Sequence, residues 1–211
     1  MSAYKNFNLI DHPLVKRDIT ILRDEKTDGE KFRAAISRIS VILAVDLFKN
    51  VQLTEIEVQS PLEKTKGHKL AYEIVVVPVL RAGLGMVNGF LQVLPNAKVG
   101  HIGLERDEET LDPKEYYYKT PKNLSEHLVI VVDPMLATGG SASAALSFLK
   151  KRGAVHPIFT CIVASPEGVE KLKERHPDVK IFAATLDRQL NDKGYILPGL
   201  GDAGDRTFGT I

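Results

Sequence analysis

The stretch Leu128–Arg152, LVIVVDPMLATGGSASAALSFLKKR, indicates a buried strand, a short loop and an amphipathic helix in direct succession. An unbroken apolar run such as LVIVV is typical of a central strand in a parallel sheet, because both faces of that sheet are covered. The apolar residues of the helix recur at i, i+3, i+4 and i+7, on one helical face: Ala142, Ala145, Leu146 and Leu149. Gly153 stands where helices commonly end, and the basic residues before it complement the helix dipole.

The same alternation of strands and helices extends along most of the chain. The strand candidates are Glu73–Leu80, Val99–Glu105, Leu128–Asp133, Ile158–Ala164 and Lys180–Thr185. The helical patterns between them are Met86–Leu94, Ser141–Arg152 and Pro166–His176. An earlier helix is indicated by the capping-box pattern Thr27-Asp28-Gly29-Glu30, followed by Phe32, Ile36, Ile39 and Leu43 on one face. Strands separated by helices predict an α/β fold, with a mostly parallel, twisted sheet flanked by helices and preceded by an N-terminal helical segment.

Two segments depart from this alternation. The segment 106–124 is long, charged and rich in tyrosine, and connections of that length are usually lids, arms or disordered segments. We predict an inserted arm or hood there, with Tyr116, Tyr117 and Tyr118 serving packing or subunit contact rather than substrate stacking. The second segment, residues 186–211, is glycine-rich from Gly194 onward. Glycine permits positive φ and a close approach of the backbone to a ligand, so we predict a binding tail.

Composition excludes several classes of protein. The chain has 211 residues, which suggests a single domain over residues 1–211. Lys and Arg number 28 against 27 Asp and Glu, a net charge of +1, which argues against a nucleic-acid or membrane-surface partner. Cys161 is the sole cysteine, so no internal disulfide or multi-cysteine zinc site forms, and a buried, inert thiol is expected. No signal peptide is recognisable and no apolar run approaches the roughly 18 residues of a membrane span, so we expect a cytoplasmic protein.

The loop after the central strand has the features of a phosphate-binding site. Ligands of open α/β sheets bind beyond the carboxyl ends of strands, and a helix N-terminus offers free N–H groups and partial positive charge. Gly139 and Gly140 would let the backbone wrap an anion, Thr138 and Ser141 add hydroxyl donors, and Asp133 could accept hydrogen bonds from sugar hydroxyls. The lysine of a Walker A loop is absent. The alternative is an ordinary glycine-rich turn capped by Ser141.

This loop is similar to the phosphoribosyl-diphosphate (PRPP) loop of type I phosphoribosyltransferases. Those loops usually carry two adjacent acidic residues, whereas Asp133 is followed by Pro134. That departure, together with PMLATGGS, resembles the uracil phosphoribosyltransferase family. The C-terminal sequence GYILPGLGDAGDRTFGT closely resembles the uracil-binding tail of that family, and LRAGLGM (80–86) and HPLVKRDITILRD (12–24) also look like its segments. The resemblance spans nearly the whole chain.

The resemblance implies an enzyme that converts uracil and PRPP into UMP and diphosphate in pyrimidine salvage. The implied PRPP-binding residues are Arg81, Arg106, Asp133, Pro134, Met135, Leu136, Ala137, Thr138, Gly139, Gly140, Ser141 and Asp202. The implied uracil-binding residues are Tyr195, Ile196, Gly201, Asp202 and Ala203, and the implied catalytic residues are Arg81, Arg106 and Asp202. Mg²⁺ would be held mainly by PRPP and diphosphate, because the chain offers no dedicated carboxylate cage. Some members of the family are activated by GTP, which makes GTP a candidate effector. A homo-oligomer, a dimer or tetramer, is expected.

Three alternatives compete with this interpretation. Gly83-Leu84-Gly85-Met86-Val87-Asn88 nearly matches a dinucleotide fingerprint and Glu105 follows at a suitable distance, but Asn88 replaces the third glycine. An RNA-binding regulator of pyrimidine genes with a phosphoribosyltransferase fold is the alternative from another functional class, although the chain lacks a basic tail. A phosphoribosyltransferase for another base is the third, and the C-terminal tail argues against it.

Overall fold

The computed structural model describes residues 5–106 and 113–210, with the side chains of Arg106 and Pro113 outside the described part. The helices are α1 (Pro13–Arg23), α2 (Gly29–Leu47), α3 (Leu84–Val93), α4 (Gly140–Lys151), α5 (Pro166–Arg175) and α6 (Ala203–Phe208). The strands are β1 (Phe7–Leu9), β2 (Leu53–Gln59), β3 (Lys64–Leu70), β4 (Glu73–Leu80), β5 (Lys98–Val99), β6 (His101–Arg106), β7 (Pro113–Lys119), β8 (His127–Val132), β9 (Met135–Leu136), β10 (Ile158–Ala164), β11 (Lys180–Leu186), β12 (Gln189–Leu190) and β13 (Ile196–Leu197).

Within the described residues, nine strands form one sheet in the order β1-β11-β10-β8-β4-β6-β7, with β5 pairing to β4 and β9 to β10. Every pair is parallel except β6 with β7, which is antiparallel. The prediction of a mostly parallel sheet is confirmed. Its two central strands are β8 and β4, which are the near-continuous apolar runs of the sequence.

Helices cover both faces of this sheet. Val75 and Val77 of β4 belong to the core beneath α4 and α5, whereas Val76 between them belongs to the core beneath α1, α2 and α3. This alternation follows from the period of two in a strand, and it explains why nearly every residue of β4 is apolar. The four residues that predict one apolar face of α2 are all buried: Phe32, Ile36, Ile39 and Leu43.

Several element boundaries differ from the sequence prediction. The run 99–105, predicted as one strand, is divided at Gly100: β5 ends at Val99 and β6 begins at His101. Helix α2 begins one residue later than the capping box implies: the Oδ1 of Asp28, not the hydroxyl of Thr27, accepts the hydrogen bond from the Lys31 N–H at 2.8 Å. The Thr27 hydroxyl instead donates to the carbonyl of Ile21 at 2.7 Å, so it is unavailable as a cap.

Two features have no counterpart in the sequence prediction. Strands β2 and β3 form an antiparallel hairpin whose residues are mostly exposed. Ion pairs such as Glu57 with Lys64, at 2.9 Å, join the two strands. Apolar and charged residues alternate in β2 (LTEIEVQ), but β3 (KTKGHKL) has a single apolar side chain and therefore lacks the alternation that identifies a strand. The predicted arm contributes β7, an antiparallel edge strand. Tyr118 packs against the core, Tyr116 and Tyr117 are about half exposed, and residues 107–112 lie outside the described part.

No helix among the described residues has the length and apolar character needed to cross a membrane.

Helices α2 and α3 pack closely at Gly89, where a Cβ would lie 2.5 Å from both the Ser37 carbonyl oxygen and the Ser40 Cβ. We therefore expect Gly89→Ala to lower the free energy of unfolding by about 1–3 kcal/mol, because overpacking forces the helices apart. Gly85→Ala in the same helix is the matched control, since its nearest neighbour, the Thr207 Cγ2, would lie at 3.4 Å. Helix propensity then favours alanine by up to about 1 kcal/mol. Urea unfolding of both variants checks this, and equal stabilities would contradict the packing account.

Candidate active site

A cleft of about 260 Å³ opens beyond the carboxyl ends of the central strands. Three segments line it: Ala82 after β4, the loop that follows β8 into α4, and two stretches of the C-terminal tail. The lining residues are Ala82, Asp133, Met135, Leu136, Ala137, Thr138, Gly139, Gly140, Ser141, Ala142, Gly194, Tyr195, Ile196, Gly201, Asp202, Ala203 and Gly204. The parallel sheet brings these segments together because all its βα loops emerge at one edge.

The loop after β8 presents backbone donors to the cleft. Gly139 caps α4 in the left-handed region, at φ +74°, and Ser143 is the first residue whose N–H bonds back to it, at 2.9 Å. The N–H groups of residues 140–142 therefore precede the hydrogen bonds of the helix, and its first turn contains no acidic residue. The Thr138 and Ser141 side chains stand beside these groups. This arrangement suits an anion, as the sequence predicts.

The back of this loop is held by the start of α5. The Ser165 hydroxyl donates to the Ala137 carbonyl at 2.6 Å, and the Ser165 N–H donates to the Leu136 carbonyl at 2.9 Å. Gly168 lies so close that a Cβ there would come within 2.4 Å of the Ala137 oxygen. The loop is thus fixed before any ligand binds.

Asp133 lies at the floor of the cleft, directly after β8. Its Oδ1 accepts a hydrogen bond from the Met135 N–H at 3.2 Å. Burial raises the pKa of Asp133 to about 7, because the one backbone donor offsets only part of the cost of removing the carboxylate from water. A carboxyl group that titrates near neutral pH inside a cleft is typical of a functional site.

Arg81 follows β4 and lies at the edge of the cleft rather than in its lining. The peptide bond between Leu80 and Arg81 is cis. The Arg81 Nη2 is 3.1 Å from the Asp205 Oδ1 of α6, and the Arg81 side chain is more than half exposed. Hydrogen bonding from the Thr210 hydroxyl, and then from Arg81, lowers the pKa of Asp205. The pair joins the loop after β4 to the C-terminal tail.

Gly83 is the first glycine of the near-match to a dinucleotide fingerprint, and backbone packing alone accounts for a glycine at this position. A Cβ at this position would lie 2.5 Å from the Val132 carbonyl oxygen and 2.7 Å from the backbone nitrogen and oxygen of Val79. The glycine is therefore required by the contact between the ends of β4 and β8. Asn88 of the near-fingerprint lies inside α3, away from the cleft lining.

The C-terminal tail is ordered by short elements. Strand β13 pairs antiparallel with β12, and the Leu197–Pro198 peptide is cis. Gly199 and Gly201 then adopt positive φ, +61° and +79°, before Asp202 caps α6 by accepting the Asp205 N–H at 2.9 Å. Ile196 is buried, whereas Tyr195 is half exposed at the mouth of the cleft.

Arg206 anchors this tail and was not identified by the sequence analysis. Its guanidinium donates to the carbonyls of Leu200 and Asp24 at 2.7 Å each, and also to the carbonyl of Leu22. The same group lies 4.3 Å from the centre of the Phe32 ring. Three carbonyls and a ring bind one cation, so Arg206 ties the loop between β13 and α6 to the end of α1.

Most of the predicted site residues meet in the cleft, whereas Pro134 and Arg81 do not line it. Pro134 turns its carbonyl toward β10, where it accepts from the N–H groups of Ile162 and Val163 at 3.1 and 2.9 Å. Arg81 is paired with Asp205, and Arg106 ends β6 with its side chain outside the described part. Four residues of the lining were not predicted from the sequence: Ala82, Ala142, Gly194 and Gly204. All four are small residues without a distinctive side chain. Their position in the chain beside predicted site residues is the signal by which they could have been identified.

The chain is similar to known proteins over nearly its whole length. A family model described as uracil phosphoribosyltransferase matches residues 9–210. A uracil phosphoribosyltransferase of Salinibacter ruber is 52% identical over 206 residues, 98% of each chain. Another from Finegoldia magna is 55% identical over 203 residues, 96% of this chain and 97% of the relative.

Solved structures show the same fold. A protein from Aquifex aeolicus superposes with a TM-score of 0.89 at 40% identity, covering 96% of this chain and 97% of its own. The adenine phosphoribosyltransferase of Trypanosoma brucei superposes with a TM-score of 0.58 at 15% identity, over 92% and 90% of the two chains. At that identity the similarity concerns the fold alone.

Proposed function

The chain belongs to the uracil phosphoribosyltransferase family, and we propose that it transfers the 5-phosphoribosyl group of PRPP to uracil, yielding UMP and diphosphate in pyrimidine salvage. One observation supports placing the reaction in this cleft: both the loop that begins α4 and the glycine-rich tail line it. The first suits a phosphate and the second suits a flat ring, so both halves of the product fit one cleft.

In this proposal the loop at 137–141 binds the 5-phosphate. The N–H groups at the start of α4 and the hydroxyls of Thr138 and Ser141 donate to its oxygens. Asp133, one loop turn away, accepts hydrogen bonds from the ribose hydroxyls. Because Ser165 already fixes the loop, little conformational entropy is lost when the phosphate binds.

The tail reads the base through its backbone. Uracil presents two carbonyl acceptors and an N–H donor along one edge. In the proposal, backbone N–H groups of Ile196 and residues 201–203 donate to the two carbonyls, and a backbone C=O group accepts from the N–H. Cytosine places an amino donor where uracil has an acceptor. The buried partner left unsatisfied costs about 1–3 kcal/mol, so cytosine is rejected.

The reaction needs positioning and charge stabilisation rather than a covalent intermediate. As the bond from the anomeric carbon to diphosphate breaks, positive charge develops on the sugar and negative charge on the leaving group, and N1 of uracil attacks the sugar. Arg81 and Arg106 stabilise the leaving diphosphate, and Asp202 faces the forming bond as electrostatic stabiliser or proton acceptor. For Arg81 this requires that its guanidinium leave Asp205, a partner whose exposed ion pair is worth only about 0–1 kcal/mol.

The residues of the cleft fit a magnesium ion carried by the substrate. Among the described residues no group of three or more His, Cys, Asp and Glu side chains could hold a metal. Asp133 and Asp202 are the two carboxylates of the lining, and Mg²⁺ is commonly bound by one or two carboxylates together with substrate phosphates. When bound there, Mg²⁺ would neutralise charge on the diphosphate.

Release of diphosphate from PRPP tests the function directly. We expect release with uracil and Mg²⁺, and little with cytosine, hypoxanthine, guanine, adenine or orotate. Release with a purine but not with uracil would overturn the proposal. Steep salt-dependent binding of RNA without turnover would instead favour the RNA-binding regulator.

Ala203 offers a test of where the base binds. It is buried, lines the cleft and leaves room beside the tail backbone. We expect Ala203→Leu to raise the KM for uracil at least tenfold and to change the KM for PRPP less than twofold, because the added side chain fills only the base end. Ala203→Gly is the matched control and retains a near-normal KM. Steady-state kinetics with each substrate varied in turn measure both values, and equal changes in both would refute the assignment.

Three further properties belong to the same proposal. Exposed Tyr116 and Tyr117 on edge strand β7 support self-association into a dimer or tetramer, which sedimentation velocity measures. GTP is a candidate activator, tested by adding it to the uracil assay at low PRPP. The enzyme acts in the cytoplasm, as the sequence predicts.

A further inference from the structure

The turn that carries the base-reading backbone is fixed by an ion pair outside the cleft. Asp187 follows β11 and is buried, and Arg23 is the last residue of α1. The Arg23 Nη2 lies 2.5 Å from the Asp187 Oδ1, and the Arg23 Nη1 lies 3.0 Å from the Asp187 Oδ2. This is a two-point contact between planar groups, the geometry that arginine makes with carboxylates and that lysine cannot reproduce.

Asp187 also holds the turn itself. Its Oδ2 accepts the N–H of Gly199 at 2.8 Å, while the Arg23 Nη1 lies 3.4 Å from the Gly199 carbonyl oxygen. Both backbone groups of Gly199 are therefore engaged by the pair. Asp187 is in turn fixed to the sheet, since its own N–H donates to the Ala164 carbonyl of β10 at 2.8 Å.

Gly199 in turn packs against Ile196, a residue of the proposed base site. Gly199 lies so close to Ile196 that a Cβ on it would come within 2.2 Å of the Ile196 carbonyl oxygen. A displacement of Gly199 consequently moves the Ile196 backbone that faces the cleft. Neither Arg23 nor Asp187 lines the cleft within the described part of the chain, so any effect on substrate must act through this turn.

We propose that Arg23 and Asp187 are positioning residues that set the affinity for uracil by holding the turn at Gly199 against Ile196. The inference rests on the proposed function, because it takes the tail as the uracil site. The phosphate loop has a separate anchor in Ser165, so the grip on the 5-phosphate, which carries most of the affinity for PRPP, does not pass through this pair.

Steady-state kinetics of Arg23→Gln test the proposal. We expect the KM for uracil to rise about tenfold, and the KM for PRPP to change less than twofold. Asp187→Asn retains an oxygen for the Gly199 N–H but loses the ionic contact, so its effect on the uracil KM should be smaller than that of Asp187→Ala. Should Arg23→Gln fail to fold, Arg23→Lys is measured instead, with a rise of severalfold in the uracil KM because its single ammonium cannot engage all three oxygens.

Arg17→Gln is the matched control. Arg17 lies on the same helix and pairs with the buried Asp18, which keeps Arg38 as a second partner at 2.9 Å. This variant should keep both KM values. An unchanged uracil KM in Arg23→Gln, or equal rises in the KM values of both substrates together with a lower melting temperature, would overturn the proposal.

Ala203→Leu separates this outcome from failure of the proposed function. If Ala203→Leu raises the uracil KM and Arg23→Gln does not, only the positioning role is wrong. If neither variant changes the uracil KM, the base does not bind on the tail, and the assignment of the tail as the uracil site is wrong.

Discussion

Arg81→Ala is expected to lower turnover about 10²–10³-fold, by analogy with the loss of one preorganised donor to a developing negative charge. Its effect on stability should be small, because the Arg81 side chain is 57% exposed and its ion pair with Asp205 is a surface contact. Measurement of kcat alongside the melting temperature distinguishes a catalytic loss from unfolding.

Asp205→Asn is the control for this variant. It removes the partner of Arg81 in the ion pair but leaves the guanidinium free to meet diphosphate, so we expect kcat to stay within about threefold of the wild-type value. If Asp205→Asn lost as much activity as Arg81→Ala, the ion pair itself would be the important contact. Wild-type kinetics in Arg81→Ala would rule out a role for Arg81 in the reaction.

Asp133→Asn is expected to change activity and stability in opposite directions. The uncharged amide is a weaker acceptor than the carboxylate for hydrogen bonds from the ribose hydroxyls, so kcat/KM for PRPP should fall about 10²-fold. The pKa of Asp133 is about 7 in the folded protein, well above the ordinary value of 3.8. The folded state therefore binds the proton more tightly than the unfolded state, and stability falls as pH rises from about 4 to 7.

Above pH 7 the folded protein carries the full cost of holding this partly buried carboxylate in its charged form. Asp133→Asn removes that cost, so at pH 8 the variant should be more stable than the wild type, by as much as about 4 kcal/mol. Near pH 4 the two should be alike. Urea unfolding at pH 8 and at pH 4 measures this, and a variant less stable than wild type at pH 8 would contradict the assigned pKa.

The same titration predicts a pH limb in the kinetics. Because the carboxylate form binds the ribose, kcat/KM for PRPP in the wild type should decline as pH falls below about 7, and Asp133→Asn should lack this decline.

The sheet was predictable because its central strands are distinctive in the sequence. Strands β4 and β10 begin and end at the predicted residues, since each is a continuous apolar run bounded by polar or turn residues. The hairpin of β2 and β3 escaped prediction because β3 has a single apolar side chain, although apolar and charged residues alternate in β2. Ion pairs such as Glu55 with Lys66 contribute to joining the two strands.

The candidate site was predictable to the extent that it is local in sequence. Asp133 and the loop to Ser141 are one segment, and the strand–loop–helix pattern itself indicates an anion site. The roles of Arg23, Asp187 and Arg206 depend on contacts between residues far apart in the chain, as between Arg23 and Asp187. No spacing or periodicity encodes such contacts.

A crystal structure of the protein with bound UMP tests the central claim most directly. We predict that the phosphate lies on the N–H groups of Gly140 and Ser141, and that the uracil ring contacts the backbone of Ile196 and residues 201–203. A phosphate bound away from the start of α4, or a base that makes no contact with the tail, would contradict the account.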